Sequence, residues 1–186
     1  MEIWFTEEWL CGLYDTLVEL YKNTDYPIAV GYSKSMVSVC IERPQTGIYG
    51  KIPFPHLLHK ATVLMDTIAN FHPFADGNKR VGLLATYYFL HWNGYEFRIP
   101  ENADEFLIDI VLGKFDLNQI CMWLESNSKM TASSVFMNLF CYTLARLGSI
   151  PRMRWIFDIF VPIVVPDYPF AYLQYVMIKR KRKSKQ

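Results

Sequence analysis

His72-Pro73-Phe74-Ala75-Asp76-Gly77-Asn78-Lys79-Arg80 is the stretch on which the fold of this chain turns. It separates two helical patterns. Upstream, Leu57, Ala61, Leu64, Met65 and Ile68 repeat on one face, and the pattern stops near Phe71. Downstream, from about Asn78 to Asn93, Val81, Leu83, Leu84, Ala85, Tyr88, Phe89, Leu90 and Trp92 leave little polar face. The second stretch is therefore expected to be a buried central helix, stopped at Asn93-Gly94. The nine residues form a loop between two helices that feeds the N-terminus of the second.

That position and those residue types suit phosphate transfer. The first backbone N–H groups of a helix have no partner within it, and its dipole favours an anion. Gly77 lets the main chain come close to a phosphate. Asn78 can either orient the loop or donate to a phosphate oxygen, and Arg80 offers a planar fork of donors. Asp76 is a candidate magnesium ligand, and His72 a candidate acceptor of a hydroxyl proton. Lys79 adds a cation to the same turn, with a plain surface lysine as the alternative. Phe74 is apolar in a polar loop and reads as an anchor into the core. Neither GxxxxGK[ST] nor GxGxxG occurs, so P-loop and dinucleotide-binding readings have no support.

Helical periodicity extends along most of the chain. Thr6 is a candidate cap for a helix carrying Leu10, Leu13, Tyr14, Leu17, Leu20 and Tyr21. Tyr26 to Gly31 reads as a loop, and a short helix is expected from about Ser35 to Glu42, ending before Pro44. Gln45 to Pro55 has the glycines and prolines of an extended flap or loose hairpin. Tyr95 to Ile99 is expected to be extended. Phe106, Leu107, Ile110 and Val111 mark a helix, and Asp116 caps another with Leu117, Ile120, Cys121 and Leu124. Beyond about Lys129 two more helices are expected around the proline-punctuated tract Pro151 to Pro169. The class is all-α with at most a minor hairpin.

Composition bounds the rest. The 186 residues are 52% hydrophobic, 20% charged and 16% aromatic, which describes a packed globular chain. Four cysteines lie far apart with no CxxC pair, which argues against a zinc knuckle or redox dithiol and fits a reducing cytoplasm. The N-terminus lacks the basic start and apolar run of a secretory leader. The most apolar tract, Trp155 to Val165, is broken by Asp158 and Pro162 and falls short of the roughly 20 residues of a membrane span. Six of the 19 basic residues sit in the tail from Lys179 onward, which leaves 13 against 18 acidic ones, a body at −5. The tail reads as a solvated terminus, with contact to anionic lipid or nucleic acid as the sharper and less favoured alternative. His56 and His59 read as helix-surface residues rather than metal ligands, His91 as a packed residue, and Asp66 as solvating its helix.

HPFADGNKR and its surroundings resemble the Fic/Doc (Fido) family, and within it the death-on-curing branch. Further resemblance lies in Glu42-Arg43-Pro44-Gln45, Ile68-Ala69-Asn70-Phe71, His91-Trp92-Asn93-Gly94-Tyr95 and Gly113-Lys114-Phe115-Asp116-Leu117. The resemblance implies a Fido-type helical bundle with a small β-hairpin flap over residues 1–128, and the residue pattern beyond it predicts a mostly helical extension at 129–186. It implies an enzyme that binds ATP and Mg2+ and modifies a hydroxyl of a target protein, a translation factor being one candidate. His72 is then the general base and Asp76 the metal ligand, while Gly77 and Asn78 shape the anion hole and Arg80 binds phosphate. The flap residues Gly47, Ile48, Tyr49, Gly50, Lys51 and Ile52 hold the target as an added strand.

This chain departs from the wider family in three places. AMP-transferring members usually have glycine where Lys79 stands, and in the death-on-curing branch this lysine goes with transfer of the terminal phosphoryl group. The expectation is therefore phosphoryl transfer, with AMP transfer second and a non-catalytic interaction module third. Leu83 replaces the arginine that pairs with a self-inhibiting glutamate, so a separate antitoxin is the expected restraint. Residues 31–39 lack the Arg-Asp and Leu-Leu-Glu features common in the branch. No specific nucleic-acid partner is expected.

Overall fold

Ten consecutive residues, Val81 to Leu90, are buried, and the molecule is arranged around the helix that carries them. The structure, a computed structural model, describes residues 2–46 and 54–130. Its elements run α1 (Glu7–Tyr21), α2 (Lys34–Glu42), α3 (Leu57–Phe71), α4 (Asn78–Trp92), β1 (Tyr95–Phe97), α5 (Ala103–Val111), α6 (Leu117–Ser126) and β2 (Ser128–Met130). The fold is the expected mostly helical one. The expected flap at 47–52 and the helices expected beyond residue 130 lie outside the described residues.

Three of the helices begin at a side-chain cap. Thr6 accepts from the Trp9 N–H at the start of α1, and Ser33 caps α2. Asp116 and Gln119 form a reciprocal capping box at α6. Gly94, at φ +87, takes the left-handed turn that ends α4.

α3 and α4 pack as an antiparallel pair, and their separation is set at Gly82. A Cβ there would lie 3.2 Å from the Met65 carbonyl oxygen and 3.6 Å from the Ile68 Cβ. α1, α2, α5 and α6 cover the remaining faces of the pair, and Leu10, Leu17, Leu64, Ile68, Leu84, Phe89 and Ile110 fill the spaces between them. Each such side chain contributes about 1.5–3 kcal/mol when removed from water.

Two long-range features had no sequence signal. β1 pairs antiparallel with β2, Tyr95 opposite Met130 and Phe97 opposite Ser128. The extension expected from residue 129 thus begins, at Lys129 and Met130, as part of this two-stranded sheet. At the other end, Lys60 is buried and holds the Glu2 carboxylate at 2.6 Å. Among the described residues no helix is long and apolar enough to cross a membrane.

Candidate active site

The loop between α3 and α4 makes a tight reversal through two left-handed residues. His72, at φ 50 and ψ 55, is the C-cap of α3, and Gly77, at φ 78, is the N-cap of α4. His72 is the one non-glycine residue with positive φ among the described residues. Holding an L-residue there costs about 1 kcal/mol or more, so the surrounding contacts must impose it.

Those contacts come from both sides. Asn78 is buried, its Oδ1 accepting from the Phe74 N–H at 3.0 Å and its Nδ2 donating to the Phe74 carbonyl at 2.8 Å. Of the two roles open to it, the amide takes loop orientation, and its backbone N–H stays at the helix start. From across the molecule the α1–α2 connection lies alongside as an antiparallel bridge. Ser33 N–H donates to the Pro73 carbonyl at 2.9 Å, and Ala75 N–H donates to the Gly31 carbonyl at 2.8 Å. Phe74 is buried and stacks on Tyr14 with ring centroids 4.4 Å apart, so the anchor reading holds. The Tyr14 hydroxyl donates to the Ala29 carbonyl and accepts from the Gly31 N–H at 3.2 Å. Burial, more than any other influence, raises the pKa of this phenol above its ordinary 10.0.

With its ends clamped, the loop turns its polar groups outward. His72, Asp76 and Lys79 are exposed and Arg80 is half-buried. One Asp76 oxygen accepts from the Gly77 N–H at 2.6 Å. No side chain caps α4. The Val81 N–H is the first to bond back, to the Gly77 carbonyl at 3.0 Å, so the α4 start retains donors for an anion. Arg80 lies with its Cζ 4.5 Å from the centroid of the Tyr21 ring. The loop thus carries an imidazole, a carboxylate and two cations next to a helix start that no side chain caps. A magnesium ion that keeps waters and phosphate oxygens would need only one or two protein carboxylates, and Asp76 is the exposed carboxylate of this loop.

The last turns of α3, which end at His72, are tied to the end of α2 through Arg43. Its Nη1 donates to Thr67 Oγ1 at 2.7 Å and lies 3.4 Å from Asp66 Oδ2, while its Cζ stands 5.0 Å over the Phe71 ring. Asp66 is therefore an ion-pair partner that also accepts from Asn70, rather than a helix-solvating residue. In the sequence Arg43 stands out only as part of the Glu42-Arg43-Pro44-Gln45 stretch. Pro44 immediately after it was the available sign of a fixed corner.

Other candidate chemistry falls away. His56 caps α3 by position and its ring lies 5.7 Å from that of His59, but no three His, Cys, Asp or Glu among the described residues gather as a metal cluster. Burial pushes the Cys40 thiol up to about 12, and Cys11 and Cys121 shift the same way for the same reason, which disfavours a thiolate nucleophile.

Comparison with known proteins points the same way. Residues 4–90, which include the whole loop, match the sequence model of the Fic/DOC family. The toxin Doc of Mycolicibacterium smegmatis (strain ATCC 700084 / mc(2)155) is 31% identical over 88 residues, covering 46% of this chain and 68% of that relative.

Proposed function

This chain belongs to the Fic/DOC family, and from that premise we propose that it is a toxin enzyme transferring the terminal phosphoryl group of ATP to a Ser or Thr hydroxyl of a target protein. The observation that carries the reading is the uncapped start of α4 with exposed His72, Asp76 and Lys79 and half-buried Arg80 around it. In the proposed reaction His72 takes the hydroxyl proton. The hydroxyl oxygen bonds to the γ-phosphorus as the bond from that phosphorus to the β–γ bridging oxygen breaks, and ADP departs. The free N–H groups of α4 and the Arg80 fork hold the charge of the phosphates. Asp76 would hold the magnesium ion, which when bound would neutralise part of that charge. Lys79, exposed at the second residue of α4, places a long cation where AMP-transferring relatives have glycine, and this favours γ- over α-phosphoryl chemistry.

The flap at 47–52 is proposed to dock the target as an extended segment, and a translation factor is a candidate target. Leu83 is buried and apolar and offers no partner to an inhibitory glutamate, so restraint by a separate antitoxin in the cytoplasm completes the proposal.

Incubating the purified chain in a cell lysate with γ-labelled or α-labelled ATP tests this directly. Label from the γ position alone, with a phosphate mass increment on a Ser or Thr of one protein, is the expected result. Label from the α position, with an AMP increment, replaces the reaction with AMP transfer. Absence of both labels together with no binding of ATP and magnesium would reduce the chain to an interaction module.

A further inference from the structure

Among the described residues two arginines lie over aromatic rings, and they are held differently. Arg43, over Phe71, also donates to Thr67 and pairs with Asp66. The Arg80 guanidinium, over Tyr21, makes no hydrogen bond or ion pair with another of the described residues. Within the described residues its guanidinium is located by a ring face. An aromatic face attracts the cation without using any of its five N–H donors, so the edge of the fork stays available for phosphate oxygens.

The platform is itself rigid. Tyr21 is the last residue of α1 and is 2% exposed. Its carbonyl accepts both from the Thr24 N–H at 3.1 Å and from the Thr24 hydroxyl at 2.8 Å, which fixes the backbone where the helix ends. We propose that Tyr21 is a positioning residue that holds Arg80 ready for the phosphates of the nucleotide. The inference rests on the phosphate-binding role given to Arg80 above. An arginine fixed before the ligand arrives loses less side-chain freedom on binding, and that saving appears as affinity.

The test is the dissociation constant for ATP with magnesium, measured by calorimetry on the full chain. Arg80→Ala is expected to weaken binding at least tenfold, and Tyr21→Leu by about 5- to 25-fold. Tyr21→Phe, which keeps the ring, is expected to bind within about twofold of the parent. In an Arg80→Ala background, Tyr21→Leu is expected to add less than about twofold. Phenylalanines bearing one, two and three ring fluorines, placed at position 21, keep the shape while draining the negative face. They should weaken binding stepwise, a trend that packing alone does not produce and that does not depend on the leucine variant folding. Parent binding that is weakened by Arg80→Ala but unmoved by Tyr21→Leu and by the fluorine series overturns the inference and leaves the proposed function standing. A parent that does not bind ATP with magnesium overturns both.

Discussion

The two ends of α4 use the same device for opposite purposes. Asn78 in the first turn and Asn93 just after the last are each 8% exposed, and each clasps both backbone polar groups of one other residue. Asn78 holds Phe74, four residues away, by bonds of 3.0 and 2.8 Å. Asn93 holds Ile3, ninety residues away, by two bonds of 2.8 Å, and donates a third to the Phe89 carbonyl. Around Asn93 the surface is sealed by aromatics. Trp4 lies 4.3 Å from Phe89, and Phe5 and Trp92 both pack against Trp9. Around Asn78 the clasp throws His72, Asp76 and Lys79 outward. One amide closes the molecule and the other opens a site. The difference lies in what the clasped peptide belongs to, an N-terminal arm or a loop rich in charge.

Mutations can separate the two roles. The largest effect is expected at the open end, where His72→Ala should lower transfer activity by about 10²- to 10⁴-fold. Its melting temperature should change little, because the His72 side chain is exposed and the variant loses no buried surface; labelled-ATP assays and calorimetry read the two quantities. Asn78→Ala comes next. Leaving the Phe74 groups unpaired costs about 1–3 kcal/mol, seen in urea denaturation, and activity should fall with it because the loop loses its shape. Asn93→Ala should cost a similar 1–3 kcal/mol but leave activity within about twofold at temperatures where the variant is folded. A matched activity loss at Asn93 would dissolve the distinction between the ends.

The smallest effect is expected from Tyr14→Phe, which removes two hydrogen bonds that brace the loop from behind, at about 0.5–1.5 kcal/mol. It should also remove one contribution to alkaline instability. A phenol whose folded pKa lies above 10.0 lets the unfolded chain ionise first, so stability falls as pH rises past about 10. Denaturation curves at pH 8 and pH 11 should lie closer together in the variant than in the parent.

What the sequence displayed was local. The run from Val81 to Leu90 announced a buried helix because no polar face interrupts it, and Thr6 and Asp116 announced helix starts because capping works over three residues. The nine residues from His72 to Arg80 stood out as a candidate site for the same reason, since their chemistry is compressed into two turns. Contacts that cross the chain were not legible. Arg43 meets Asp66 and Thr67 at separations of 23 and 24, and Lys60 meets Glu2 at 58. Neither periodicity nor propensity carries information about such pairs. Tyr21 is the clearest instance. It read as one more apolar residue on the inner face of a helix, and only the folded chain brings its ring beneath Arg80.

The pairing of Tyr95–Phe97 with Ser128–Met130 has a practical corollary. A chain cut after Asn127 would leave the outer hydrogen-bonding row of β1 uncovered, beside Tyr95 and a newly wetted Phe97. Bare strand rims of this kind recruit other strands. Such a shortened protein should therefore self-associate and precipitate during purification, even with every residue from His72 to Arg80 intact.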